Sequence, residues 1–259
     1  MTANKFFQAF SEVFQRIETT QVENIHTAAT WAAEAMMADR FGVLFGSGHS
    51  YIPTMDIYPR IGSFPGWLPI HEMATSYITR MSGDIGLRQS LFLEKVEGYG
   101  KVVLANYALD ERDVMIVISN SGVNTIGIEI AIEAKKLGLK TVGVTSLAHS
   151  QVSKSYHSSG KRLFEVVDLV IDNCVPQGDA LVDVTGFPAR VASASTIAGC
   201  IIIQSLAAET GAILAEHNYI PPVFPSHNTK LSEEETHRVE ELVEQIYAED
   251  SRRLKQILR

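Results

Sequence analysis

The sequence predicts an α/β fold built on a parallel sheet, and three observations carry that expectation. Short apolar runs, V-M-I-V-I-S at 114–119, T-V-G-V-T at 141–145 and D-L-V-I-D at 168–172, are separated by segments of helical period or by long loops. Their residues are apolar almost throughout, as strands covered on both faces require, whereas a sheet with one wet face alternates. The runs also give way to small hydroxyl, amide or glycine residues, where the chain can turn and a helix can start.

Each element follows in order. Phe6, Phe10, Phe14 and Ile17 share one helical face, and Ile25, Ala28, Ala32 and Met36 continue the stripe after a small drift, so the first 38 residues are expected to be helical. Residues 41–45 read as a strand running into G-S-G-H-S, a tight turn and a helix start. Pro53, Pro59, Pro65 and Pro69 keep the next passage irregular. Helical period resumes over 87–107, with Leu91, Val96, Val103 and Leu104 apolar, and again over 125–138, closed by Gly138. The Ser- and His-rich loop at 146–161 is long for a βα connection, and long loops on a rigid sheet often carry function. The segment 196–215 raises the question of a membrane span, but Gln204, Ser205, Glu209 and two glycines at mid-depth predict a buried helix of a soluble fold. A last helix starts at a capping box, Ser232 with Glu235, after a staple residue Leu231, and aligns Val239, Leu242, Val243 and Ile246 in one stripe. No solenoid repeat or convincing linker divides the chain, so one domain with helical extensions is expected.

Composition narrows the function classes. The 259 residues hold 22 Lys plus Arg against 30 Asp plus Glu, a formal charge of −8, with no basic face to grip nucleic acid or an anionic membrane. With 46% apolar and 20% charged residues the chain is an ordinary globule rather than a disordered one. Cys174 and Cys200 lack C-x-x-C spacing and read as reduced, buried thiols. The N-terminus has no continuous apolar core of a signal peptide, so a cytoplasmic protein is expected.

The segment I-V-I-S-N-S-G-V-N-T-I-G at 116–127 carries the chemistry. At the carboxyl end of a parallel strand, the next helix aims free N–H groups and its positive dipole end into the crevice, which favours phosphate. Ser119, Asn120, Ser121 and Asn124 or Thr125 add neutral donors, and Gly122 lets the backbone turn closely. The pattern is neither a P-loop nor a dinucleotide fingerprint, and Ser, Asn and Gly also serve as ordinary turn and capping residues. Similar endings recur at Gly46–Ser50 and at Thr145–Ser146, so hydroxyls from three strand ends would face one crevice.

Together, G-S-G-H-S, I-S-N-S-G-V-N-T and G-V-T-S resemble the sugar isomerase (SIS) domain family of phosphosugar-binding proteins. The stretch H-S-S-G-K-R-L-F at 157–164, followed by V-I-D-N and G-D-A, is similar more narrowly to a single-domain bacterial, isomerase-like group. This resemblance implies a three-layer α/β/α sandwich around a five-stranded parallel sheet, with an SIS domain at 40–230, a helical extension at 1–39 and a C-terminal helix at 231–259. It also implies a homodimer with shared sites, and sugar-phosphate binding by Ser50, Ser119, Asn120, Ser121 and Asn124, with Thr145 and Ser146 beside them.

The reaction implied by the resemblance is aldose–ketose isomerisation through an enediol, which needs a carboxylate base and an acid/base to open the sugar ring. In the heptose-phosphate isomerase branch a Glu follows the first loop, and the nearest position here is Asp56. Glu72 and Glu94 are alternative carboxylates, and Glu209 is a lone acid on an apolar helix. For the imidazole, His217 and His227 are candidates, so Asp56, Glu209 and His217 form the expected catalytic set. His49 and His157 sit in the motif loops, and Lys161 and Arg162 are an adjacent basic pair. No H-x-x-H, H-E-x-x-H or G-x-S-x-G pattern occurs, so neither a metal nor another cofactor is expected. Competing readings are an amino-sugar phosphate lyase or etherase in the same crevice, and a sensor that binds a sugar phosphate without turnover.

Overall fold

A computed structural model describes residues 1–76, 81–83, 86–226 and 232–258. The elements are α1 (Thr2–Thr20), α2 (Val22–Met37), β1 (Gly42–Gly46), a 3-10 turn at Gly48–Ser50, α3 (Tyr51–Ile57), β2 (Trp67–Pro69), α4 (Met73–Ser76), α5 (Leu87–Leu93) and α6 (Tyr99–Leu104). There follow β3 (Val114–Ile118), α7 (Thr125–Lys136), β4 (Lys140–Thr145), α8 (Leu147–Ser150), β5 (Leu169–Asp172), β6 (Ala180–Val182), β7 (Val191–Ser193), α9 (Ser195–Glu216) and α10 (Glu233–Ile257).

Five strands form one sheet in the order β2-β1-β3-β4-β5, and every pair is parallel. Successive side chains on a strand point to opposite faces, so these strands feed two cores. Leu44, Ile116, Val142 and Ile171 face α2, α3 and α9, where Ala28, Ala32, Met36, Ala198 and Ile202 are fully buried. Val43, Phe45, Met115 and Val117 face the second core, with Val103 and Leu104 of α6, Ile126 and Ile130 of α7, and Ile257 at the end of α10. This is the three-layer sandwich around a parallel sheet. β6 and β7 form a separate antiparallel ribbon.

Two expected helices divide. Residues 1–38 break at Gln21 (φ −114°, ψ −4°), and this break is the drift seen in the apolar stripe. Residues 87–107 form two short helices, because Gly98 takes φ 86° and starts α6 afresh. The loop 146–161 contains the single turn α8. α9 meets length and hydropathy criteria for a membrane span, with one face packed on α2 and α3. α10 has the expected cap: Ser232 Oγ accepts from Glu235 N–H at 3.2 Å, and Ser232 N–H donates to Glu235 Oε2 at 2.8 Å. The staple residue Leu231 lies outside the described residues. Val239, Leu242 and Val243 are only half-buried, and Ile246 is the first apolar residue of that stripe to be buried.

Buried charge holds the amino-terminal edge of the sheet. Arg40 Nε donates to Asp113 Oδ1 at 3.0 Å, and Asp113 also accepts from Phe41 N–H at 3.0 Å and Asp110 N–H at 3.0 Å, joining the entries of β1 and β3. Arg253 is 1% exposed and donates to the carbonyls of Arg40 (2.7 Å) and Met36 (3.0 Å) and to Glu249 Oε1 (2.7 Å). An unpaired guanidinium there would cost several kcal/mol, so this set of acceptors fixes where α10 docks. The opposite, carboxyl edge is left for loops.

Candidate functional site

Open parallel sheets bind ligands beyond the carboxyl ends of their strands, and that is where the chain concentrates its polar loops. At the end of β1, Gly46 meets the following turn so closely that a Cβ on it would lie 2.1 Å from the Ser50 carbonyl oxygen. The neighbouring loop, Ser119–Asn124, leaves β3 and enters α7. Ser119 Oγ accepts from Gly122 N–H at 3.2 Å, and Gly122 adopts φ 63°, a left-handed conformation that glycine takes without strain. The tight turn aims the start of α7 at the crevice.

The first turn of α7 retains unused donors. Ile126 N–H is taken by the Glu94 carbonyl at 3.1 Å, while the N–H groups of Thr125 and Gly127 have no acceptor among the described residues. The Thr125 hydroxyl is fully buried and also lacks a partner, as does that of Ser150. Buried hydroxyls are rarely left orphaned in a folded protein, so such a group at a helix N-terminus marks a place for an added acceptor.

The expected binding residues separate into two roles. Ser50 and Asn120 line a void of about 10 Å³ with Asn173, Ser195 and Thr196, and Asn173 Nδ2 donates to Asn120 Oδ1 at 2.9 Å. Ser121 and Asn124 line an open cleft of about 800 Å³ that continues past Leu91, Lys95, His149 and Tyr156. Thr145 and Ser146 are fully buried instead of facing this crevice. Thr145 Oγ1 donates to the Asn120 carbonyl (3.2 Å) and Ser146 Oγ to the Val175 carbonyl (2.6 Å), so these hydroxyls tie the loops together.

Glu94 sets a buried carboxylate against Asn124, which lines the cleft. It is 5% exposed, accepts from Asn124 Nδ2 at 2.7 Å and lies near the Ser47 hydroxyl of the turn after β1. Burial pushes its pKa up, against smaller opposing effects of Ser47 and Lys95. A carboxyl held beside the loops after β1 and β3 and displaced toward neutrality has the properties of a general base. The imidazole lining the same cleft is His149. Its Nδ1 accepts from Gly178 N–H at 3.2 Å, which leaves Nε2 to carry the proton of the neutral ring.

The expected catalytic set lies elsewhere in the chain's own fold. Both oxygens of the Asp56 carboxylate are engaged, by Arg60 and by Gln204 Nε2 (2.9 Å), on the surface between α3 and α9. Glu209 is not a buried acid: its side chain is 41% exposed and pairs with His26 Nδ1 at 2.6 Å. At about 1.5 Å rise per residue, Glu209 stands roughly 20 Å and His217 roughly 33 Å down α9 from Ser195, which borders the crevice. His217 is exposed, with its Nδ1 2.9 Å from the Ile213 carbonyl. His227 lies outside the described residues. His49 is exposed on the turn after β1, and His157 Nδ1 meets Ser159 Oγ at 2.7 Å. Arg162 is bound to Glu165 at 2.8 Å, and Lys161 lines a separate surface pocket.

From the sequence Glu94 stands only as an alternative carboxylate, and no pattern there marks His149. Glu94 carried a usable signal, an acid in the helical passage just before β3, but its contact with Asn124 spans 30 residues. Among the described residues no group of three or more metal-ligating side chains occurs. Burial raises the pKa of both free thiols, Cys174 and Cys200, which favours their unreactive protonated form.

Known proteins share this architecture. The phosphoheptose isomerase GmhA from Neisseria gonorrhoeae superposes with a TM-score of 0.54 at 14% identity, covering 81% of this chain and 97% of its own. A phosphoheptose isomerase from Francisella tularensis gives 0.52 at 14%, covering 81% and 96%. At that identity the likeness shows the fold. The UPF0309 protein BH3325 of Halalkalibacterium halodurans is 34% identical over 226 residues, 85% of this chain and 88% of the relative. The UPF0309 protein lmo0025 of Listeria monocytogenes is 34% identical over 223 residues, 86% and 89%. Residues 5–146, which include α2, the turn after β1 and the Ser119–Asn124 loop after β3, match the model of the SIS domain; with those relatives alongside, the chain belongs to the SIS domain family and to its UPF0309 members.

Proposed function

We propose that this protein binds a sugar phosphate and isomerises it between aldose and ketose through an enediol. The observation that carries the binding is the orphaned, fully buried Thr125 hydroxyl in the first turn of α7, beside N–H groups that have no acceptor among the described residues. A phosphate there would accept from the Thr125 hydroxyl and the free N–H groups while Ser121 and Asn124 flank it, without a cation in the loop.

In this reading Glu94 is the base that moves the proton between C1 and C2, and it replaces Asp56 and Glu209 in that role. His149 gives its Nε2 proton to the ring oxygen as the C1–O bond breaks, and the C1 hydroxyl returns its own proton to Nε2 through a water, which leaves a free carbonyl at C1 and a neutral imidazole. Asn124 holds the Glu94 carboxylate toward the ligand. The protein acts in the cytoplasm and as a homodimer, which would cover the exposed apolar side chains of Phe7, Phe14 and Val22 on α1 and α2.

The test of binding is thermal. At a ligand concentration about 100-fold above Kd, stabilisation is about 2.7 kcal/mol, and at this chain length that raises Tm by roughly 5–10 °C. Replacing Ser121 by Asp puts a negative charge where the phosphate would sit and is expected to abolish the shift. An undiminished shift in Ser121→Asp would discard the site.

A further inference from the structure

We infer that the ligand of this cleft carries a second anionic group besides its phosphate, held by Lys95 and Lys154. The inference deepens the sugar-phosphate binding half of the proposed function and rests on that half alone; the doubly anionic probes below carry their second anion at C1 and report binding at the lysines, not isomerisation. The phosphate position at the start of α7 is furnished by neutral donors, so the two ammonium groups on the cleft are surplus to it. Many cations of this chain are neutralised: Arg40, Arg60, Arg112, Lys135, Lys136, Lys140 and Arg162 each face a carboxylate. Neither Lys95 nor Lys154 has an ion-pair partner among the described residues, although the chain carries a net −8. Lys95 also acts at longer range on the buried Glu94 carboxyl, and with Lys154 it places positive charge on one cleft of an acidic protein.

Lys95 is also posted rather than free. Its Nζ lies 4.1 Å from the centroid of the Tyr156 ring, and Tyr156 N–H donates to the Val123 carbonyl at 3.0 Å, so the lysine is tied to the loop that turns into α7. Lys154 stands two residues before Tyr156 in the same loop, where the Ser153 and Ser155 hydroxyls donate to the His149 and Lys161 carbonyls and fix the loop's shape. A sugar phosphate with its phosphate at Ser121 and Thr125 would extend along this cleft and bring its far substituent to the lysines. An ammonium is a point charge without the planar fork of Arg, so it accepts a carboxylate or a second phosphate equally well.

The experiment measures Kd at fixed ionic strength for glucose 6-phosphate, 6-phosphogluconate and fructose 1,6-bisphosphate, on the wild type and on the double variant Lys95→Met, Lys154→Met. Two exposed ion pairs gained on binding predict roughly tenfold tighter binding of a doubly anionic ligand. Which of the two shows the gap tells a carboxylate from a second phosphate. In the double variant the gap closes. Equal affinities for all three ligands in the wild type, or a gap that survives in the variant, overturn the inference and leave the phosphosugar reading standing. A variant that loses glucose 6-phosphate as steeply as the other two makes the lysines part of the phosphate site and overturns it as well. If no sugar phosphate binds the wild type, the functional reading falls and takes the inference with it.

Discussion

Gly122 is where backbone geometry, packing and the proposed function meet, and Gly122→Ala tests all of them. The residue has φ 63°, and a Cβ there would stand 2.7 Å from Ser150 Oγ and 2.8 Å from Thr145 Oγ1. The left-handed conformation costs a non-glycine residue about 1–2 kcal/mol. Forcing an extra methyl into a closed site costs about 1–3 kcal/mol more. Thr145 cannot retreat cheaply, because its hydroxyl donates to the Asn120 carbonyl of the same loop. The expected loss is therefore about 2–5 kcal/mol. Gly160→Ala is the internal control, since Gly160 has φ 71° with nothing within 4 Å of its missing Cβ. It bears only the conformational cost, so Gly122→Ala should be the less stable of the two by about 1–3 kcal/mol. Urea unfolding followed by circular dichroism reads this as a lower midpoint at unchanged slope. Equal midpoints for the two variants would refute the packing argument. Unchanged sugar-phosphate affinity in folded Gly122→Ala would refute the claim that this turn shapes the anion site.

Three further outcomes follow from the geometry. Glu94→Gln should bind sugar phosphates but not exchange substrate protons with solvent. The wild type's rate should rise with pH as the burial-raised carboxyl of Glu94 ionises. Because burial holds the folded pKa of Glu94 above the ordinary Glu value, its contribution to wild-type stability is fully present below that ordinary value and is lost as pH rises through the folded pKa. Glu94→Gln lacks that decline, so its stability relative to wild type should increase with pH across that window, as urea midpoints would show. Arg253→Ala should destabilise by about 3–5 kcal/mol in the same assay, because the Glu249 carboxylate and the Met36 and Arg40 carbonyls lose their buried donor. Glu209→Gln breaks only an exposed pair with His26 and should leave turnover unchanged in a kinetic comparison.

Much of the fold was legible in the residues. β3, β4 and β5 are apolar enough to be recognised locally, and Gly138 ends α7 with φ 91° as a closing glycine should. Where the fold departed from expectation, backbone detail decided it. Gln21 and Gly98 break helices whose apolar period continues across the break, and periodicity does not register a single residue leaving helical geometry. β2, three residues ending in Pro69, is an edge strand too short and too Pro-flanked to show a pattern.

For the site, the loop was legible and its division of labour was not. Ser119, Asn120, Ser121, Gly122 and Asn124 do come together at the strand ends. Thr145 and Ser146 have the same residue types, yet their hydroxyls are spent on neighbouring carbonyls, which no local pattern distinguishes. The position of Glu209 on an apolar helix suggested a buried charge, but that helix has an exposed side on which the acid meets His26. The pairing of Glu94 with Asn124 depends on how α5 packs against the start of α7, a tertiary fact.

Solvent proton exchange tests the central claim most directly. Wild type and Glu94→Gln are incubated in deuterated water with a sugar phosphate that gives a thermal shift with both. The account predicts deuterium at C2 of the recovered aldose phosphate or at C1 of the ketose with wild type, and none with Glu94→Gln. Binding by wild type without any deuterium incorporation across a broad panel of bound aldose and ketose phosphates would contradict isomerisation and leave a sugar-phosphate sensor.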